Sequence, residues 1–252
     1  MSEDRKIKIG IDINEVLRAR WVQFDKYYVE EFGEEGVPEE PYVYDFFNGY
    51  KWEDKVEKTD YLNEDLPDDI NPLDYQVDKE TGKAPVDHLA FKTKKAKLTA
   101  KEVYNRFMYE DYVLEIHGSA PVMYKQMDLH IEKFYLKYFD HADFVLKSQE
   151  NWFSIGSTLF FLSKIRSRFK KYHFVENKDE MWEDIDVLIT TDPEIIDGEI
   201  PDGKKVIKLE RPYNTKSQKG AIDDKILQIH DLNGNEKFEK IINYNPKKEE
   251  NE

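Results

Sequence analysis

The residues able to do chemistry fall just after short apolar runs. Asp12 and Asn14 follow the alternating Ile7, Ile9 and Ile11, and Ser148 follows the run at 144–146. Lys178 follows 172–175, and Thr190, Thr191 and Asp192 follow 187–189. A carboxylate can attack as a nucleophile, and hydroxyl and ammonium groups can hold an oxyanion. Each residue also has a plainer use: Asp12 as a helix cap, Ser148 as a turn residue, Lys178 as a solvated cation. The six histidines show no metal-ligand spacing, and His117, His130 and His141 read as structural or exposed. With no cysteine in the chain, a disulfide framework and a Cys-ligated zinc are excluded.

These positions are useful only if a scaffold brings them together. The period-two pattern of residues 6–12 predicts a strand. Beyond Asp140 the texture alternates: strands at 144–146, 172–175, 187–189 and 206–209, an apolar helix at 152–165 and a short helix at 178–182. Such alternation predicts a parallel sheet with helices on both faces, which binds ligands at the carboxyl ends of its strands. The helix at 152–165 reads as buried. Between the first strand and this region, Trp21, Phe24, Tyr28 and Phe32 share one helical face. Residues 38–97 are acidic and interrupted by proline, with short elements joined by loops. The basic stretch 92–101 reads as a solvated loop leading into a helix. Thr99 and Glu102 form a capping-box pattern at the start of that helix, which ends at His117-Gly118. Pro121 suits the first turn of the next, with Met123, Met127, Ile131, Phe134 and Tyr138 as its apolar stripe.

The order of the strand ends resembles that of the haloacid dehalogenase superfamily. Ile9-Gly10-Ile11-Asp12-Ile13-Asn14 resembles its first motif, a strand followed by Asp-x-Asp. Val145 to Ser148 resembles the second, Lys178 the third, and Val187 to Pro193 the fourth, a strand ending in an acidic pair. The downstream Arg211-Pro212-Tyr213-Asn214 is similar to a sequence recurring in the deoxyribonucleotidase-like branch. The resemblance covers residues 6–20 and 143–214. It implies an α/β fold: a parallel Rossmann-like sheet of haloacid dehalogenase type with a large, mainly helical inserted cap. Residues 1–19 and 141–245 would form the core, 20–140 the cap and 246–252 a charged, fraying tail.

The resemblance also assigns roles. The first Asp forms an aspartyl-phosphate, the second is the general acid–base, and the acidic pair helps hold Mg²⁺. Ser and Lys bind phosphate oxygens. Here Asp12, Ser148 and Lys178 are retained, but Asn14 has no carboxyl proton to give, a step worth about 10²–10⁴-fold. Thr190 and Thr191 are neutral where Mg²⁺ prefers carboxylate, and Asp192 or Glu15 would compensate only in part. The expectation is a catalytically degenerate phosphatase fold, with no cofactor, acting as a structural or protein-binding scaffold. The alternative is a weak Mg²⁺-dependent 5'-nucleotidase or phosphatase. The Lys-, Glu-, Asn- and Tyr-rich texture with degenerate motifs resembles phosphatase-like proteins encoded among virion genes of crass-like tailed bacteriophages, which implies a neck or tail ring component.

Composition limits the partners. The formal net charge of −15 argues against a general nucleic-acid binder. No apolar run approaches the roughly 20 residues of a membrane span, and residues 1–8 lack a signal-peptide core. These features predict a cytoplasmic protein, or one assembled into a virion in a host cytoplasm. Aromatic residues make up 14% of the chain, high for so acidic a sequence, and suit protein interfaces. Tyr42, Tyr44, Phe47, Tyr50 and Trp52, beside Phe46, are candidates for docking on a protein neighbour, another copy of the chain included. Lining the molecule's own core is the alternative for part of this segment.

Overall fold

The computed structural model describes residues 5–38, 44–61, 92–123, 125, 127–215, 225–232 and 236–241. The chain divides into two compact units, 1–51 with 106–252, and 52–105.

The first unit is built on a six-stranded sheet. Its strands are β1 (Ile7–Asp12), β4 (Ala142–Gln149), β5 (Tyr172–Val175), β6 (Val187–Thr190), β7 (Lys205–Leu209) and β8 (Ile226–Ile229). They lie in the order β5-β4-β1-β6-β7-β8, and every pairing is parallel. Numbered within the sheet, this is 3-2-1-4-5-6, the doubly wound Rossmann order. The expected α/β class with a parallel Rossmann-like sheet is therefore what the chain adopts. The order reverses direction beside β1, so the crevice rule places a ligand site at the ends of β1 and β6. In β1, Ile9 and Ile11 are fully buried on one face. Gly10 points to the other, where a Cβ would come within 2.8 Å of Ile185. All four residues of β6 are buried, as a central parallel strand covered on both faces requires.

Helices close the faces. Ile131, Phe134 and Tyr138 of α4 (Met127–Tyr138) and Phe161 and Leu162 of α5 (Ile155–Lys164) pack with Ile9, Ile11 and Leu146. Val175, Met181, Ile185, Leu188 and Ile195 form a smaller cluster. Helix α1 (Arg20–Phe32) buries Phe24 and Tyr28. These rings meet Phe46 and Tyr50, around the short α2 (Phe46–Gly49), and Phe107. Phe107–Asp111 and Leu114–Gly118 are π-helical turns. Two short helices, α6 (Pro193–Asp197) and α7 (Glu236–Ile241), follow β6 and β8. Among the described residues, no helix is long and apolar enough to cross a membrane.

The second unit contains an antiparallel pair, β2 (Lys55–Tyr61) and β3 (Lys92–Leu98), and the start of α3 (Ala100–Arg106). The stretch expected as a basic loop is thus mostly strand. Cross-strand pairing with 55–61 satisfies its backbone, a long-range partner that composition does not display. The capping box is present: Thr99 N–H donates to Glu102 Oε2 at 2.7 Å, and Glu102 N–H to Thr99 Oγ1 at 3.3 Å.

Two further expectations need correction. Pro121 does not open a helix, and α4 begins at Met127. Residues 119–123 run beside the loop after β1: Ala19 N–H donates to the Pro121 carbonyl at 2.9 Å and Met123 N–H to that of Leu17 at 3.0 Å. Helix α5 is not buried all round. Thr158, Phe161 and Leu162 face the core, while Leu159 and Phe160 are exposed.

Candidate functional site at the strand ends

The loop after β1 folds back on itself. Leu17 and Arg18 N–H groups donate to the Ile13 carbonyl, and Glu15 N–H donates to that of Arg18 at 2.9 Å. Glu15 sits at φ +57°, in the left-handed region. This tight turn sends Asp12 and Asn14 into two different polar clusters.

Asp12 is 2% exposed and both its oxygens are engaged. Asn14 N–H donates to Oδ1 at 3.0 Å, and Thr190 Oγ1 donates to Oδ2 at 2.9 Å. Burial pushes the Asp12 carboxyl up to about 7; the Thr190 hydroxyl bond opposes this and the nearby Asp192 adds to it. Asp192 is itself spoken for. Its Oδ1 caps α6 by accepting from Glu194 N–H at 2.9 Å, and its Oδ2 pairs with Lys178 Nζ at 2.8 Å. Lys178 reaches Glu194 as well, at 2.6 Å. Burial alone would lower the Lys178 ammonium, but these carboxylates hold it above its usual value. Two phenols complete this cluster. The Tyr44 ring lies 5.6 Å from that of Tyr213, and Lys178 Nζ sits 5.7 Å from the Tyr44 centroid. Burial lifts both phenols well above 10, helped by Asp12 and Asp192 at Tyr44 and by Glu15 at Tyr213. The Arg-Pro-Tyr-Asn turn holds the far side. Asn214 Nδ2 donates to the carbonyls of Thr191 (3.1 Å) and Leu209 (2.9 Å), and its Oδ1 accepts from Arg211 N–H.

Asn14 faces the second cluster. Its Oδ1 accepts from Arg18 Nε at 2.9 Å and Nη2 at 2.6 Å, and its Nδ2 donates to Ser148 Oγ at 2.8 Å. The Ser148 hydroxyl in turn donates to Glu150 Oε1 at 2.8 Å. Arg18 and Glu150 form an ion pair with both side chains fully buried. Arg18 Nη1 also donates to Thr158 Oγ1 at 2.7 Å and to the His117 carbonyl at 2.8 Å. Burial alone would raise the Glu150 carboxyl, but Arg18 and His117 hold it well below the usual carboxylate range. Burial lowers His117 to about 4, against the pull of Glu150, so the ring is neutral. Glu15, the other acid near the strand end, is turned toward Arg20. Its Oε1 accepts from Arg20 N–H and Nε, each at 3.2 Å, and so caps the first turn of α1.

The structure thus brings Asp12, Lys178, Thr190, Thr191 and Asp192 together and turns Asn14 and Ser148 toward Arg18 and Glu150. Two of the docking candidates need correction. Tyr44 lines the strand-end cluster, and Tyr50 is 7% exposed in the aromatic core, because α1 needs its apolar face covered. Phe47 and Trp52 are half-buried, with Trp52 against Tyr104 in the second unit. Tyr42 lies outside the described residues. Sequence reasoning missed Arg18 and Glu150, and His117, read as structural or exposed, is the former. The signal available was two arginines, Arg18 and Arg20, inside an otherwise apolar segment from Val16 to Val22.

No protein-family model matches the chain, and no curated protein matches it significantly. Among solved structures it is similar to a haloacid dehalogenase-like family hydrolase from Xanthomonas campestris. The identity is 10% over 94% of this chain and 96% of that one, with a TM-score of 0.46.

Proposed function

We propose that the chain is a catalytically degenerate phosphatase fold that serves as a structural or protein-binding scaffold, a virion neck or tail ring component of a tailed phage being the assembly its sequence texture suggests. One observation carries the loss of catalysis: the side chains that the chemistry would need, Asp12, Ser148 and Lys178, are already engaged within the molecule. Asp12 is held by Thr190 and the Asn14 amide, Ser148 by Asn14 and Glu150, and Lys178 by Asp192 and Glu194. Asn14 cannot donate a carboxyl proton, and its carbonyl oxygen is clamped by Arg18. The donor set does not suit Mg²⁺, which prefers hard oxygen ligands with free carboxylates. Each oxygen of Asp12 and Asp192 already has a partner within the molecule, and Thr190 and Thr191 are neutral. Among the described residues, no group of three His, Asp or Glu side chains is placed to hold a metal.

The second reading, a weak Mg²⁺-dependent 5'-nucleotidase with Asp12 as nucleophile, is favoured by the convergence of Asp12, Asp192 and Lys178 at the strand ends. A phosphate-release assay separates the two. Nucleoside monophosphates and p-nitrophenyl phosphate with millimolar Mg²⁺ should give no rate above background. A metal-dependent rate abolished in Asp12→Asn would replace the scaffold reading with the enzyme. Sedimentation of the chain with a large assembly from its native source is the positive expectation.

A further inference from the structure

Helix α5 presents one continuous apolar stripe to solvent. Trp152 and Phe153, in the turn that leads into it, are 68% and 49% exposed, and their ring centroids are 3.9 Å apart. Leu159 and Phe160 are 44% and 51% exposed. At 100° per residue, positions 156, 159, 160 and 163 of α5 fall on a single face, and the 3-10 turn Trp152–Ser154 adds its two exposed rings at the amino end of the helix. Leu114, 48% exposed, extends the stripe sideways: it and Phe160 both approach within about 3 Å of where a Cβ on Gly118 would stand. Isolated exposed leucines need no explanation, but a contiguous patch of this kind marks an interaction surface.

We propose that this stripe is a two-fold interface on which a second copy of the chain packs its own α5, antiparallel. Three observations point to a copy of the chain. The five side chains leave roughly 500 Å² exposed, given aromatic side chains of about 150–250 Å². Two such faces, fully covered, bury about 1,000 Å², the threshold for a biological interface and the size of a weak, reversible dimer. The stripe is suited to a two-fold: Gly156 lies near its centre with open space at its Cβ position, so two antiparallel copies of the helix can approach closely there, glycine against glycine. No carboxylate occurs from Asn151 to Val175, in a chain of net charge −15, so the two α5 helices themselves meet without acidic repulsion. A closed two-fold arrangement is the commonest homo-oligomer. This inference goes beyond the scaffold reading, since an active phosphatase could pair in the same way.

Analytical ultracentrifugation of the full chain at micromolar concentration should show a dimer. Trp152→Ser and Phe160→Glu should each weaken dimerisation by roughly 30-fold or more, as truncated hot spots do. Their circular dichroism should be unchanged, because both side chains point outward. The chain has no cysteine, so Gly156→Cys gives an independent readout. It should form a covalent dimer on mild oxidation, while Asp202→Cys, fully exposed elsewhere, should not. A monomer at every concentration with no cross-link through position 156 overturns the proposal, and so does an open series of higher oligomers. A dimer unaffected by both interface substitutions overturns it as well. Phosphate release bears only on the catalytic reading, so the two fail separately.

Discussion

Two buried polar clusters meet at Asn14, and they handle charge in opposite ways. Around Arg18 and Glu150 the molecule keeps a full ion pair and surrounds it with donors, so both groups stay charged. Around Asp12 it supplies a hydroxyl, an amide and another carboxylate, so the Asp12 charge is opposed. Burial is the leading cause acting on both carboxyls, yet one is held well below its ordinary value and the other is raised to about 7. The difference lies in the partner: a cation in one case, neutral donors and an anion in the other. A nucleophilic aspartate works ionised and accessible, whereas Asp12 is buried and, with its carboxyl raised to about 7, only partly ionised at neutral pH.

The contrast can be broken most forcefully at the ion pair. Arg18→Met leaves Glu150 buried without its cation, which costs about 3–5 kcal/mol. Urea denaturation should show that loss, and a change under 1 kcal/mol would mean that His117 takes up the charge.

The next test is the pH dependence. Asp12 has a folded pKa raised to about 7, so between about pH 4 and 7 the folded state holds a proton that the unfolded state has lost. Stability from this group falls as pH rises through that window, by on the order of 4 kcal/mol. His117 is lowered to about 4, so between about pH 4 and 6.5 the unfolded state holds the extra proton. Its contribution rises with pH by on the order of 3 kcal/mol. The two slopes oppose each other over most of the same window. Asp12→Asn should unmask a stability that rises from pH 4 to 6.5, and His117→Asn one that falls. Thermal denaturation across the range distinguishes these slopes, and parallel profiles in the two variants would sink the assignment.

Smaller effects sharpen the boundary between the clusters. Asn14→Asp should destabilise by about 1–2 kcal/mol. The new carboxylate gains charge with Arg18 but loses the donor to Ser148 Oγ, which already donates to Glu150. It should restore no phosphate release, because the new acid is held by Arg18. Lys178→Met should cost about 1 kcal/mol, with the effect shrinking in high salt, since the Lys178 side chain is 29% exposed and solvent screens its pairs. A loss above 3 kcal/mol would mean that Asp192 depends on Lys178 alone.

Much of the scaffold was legible because it is written in local periods. Ile7, Ile9 and Ile11 announce the central strand, and Val187 to Ile189 announce its neighbour. With these come the strand-end positions of Asp12, Thr190 and Asp192. What was not legible depends on partners far along the chain. Asn14 reads as a lost acid, and only folding brings Arg18, His117 and Glu150 around it from separate segments. The strand at Lys92–Leu98 hides in a lysine-rich stretch because its pairing partner is at 55–61. Helix α5 was misread for a related reason: apolar residues on all sides fit a buried helix, and composition does not say which side the sheet takes. The short β8 lacks any flanking signal and went unread.

The Asn214 side chain ties the carbonyl of Thr191, just past β6, to that of Leu209, at the end of β7. In the language of hydrogen exchange, it makes the two strand ends one opening unit. Strand β7 cannot fray from its carboxyl end without first releasing a buried amide that serves β6 as well. Such a staple shifts local opening toward the global unfolding free energy. The slowest-exchanging amides of the sheet should then include Ile207 to Leu209 beside those of β1, although β7 lies one strand away from the centre.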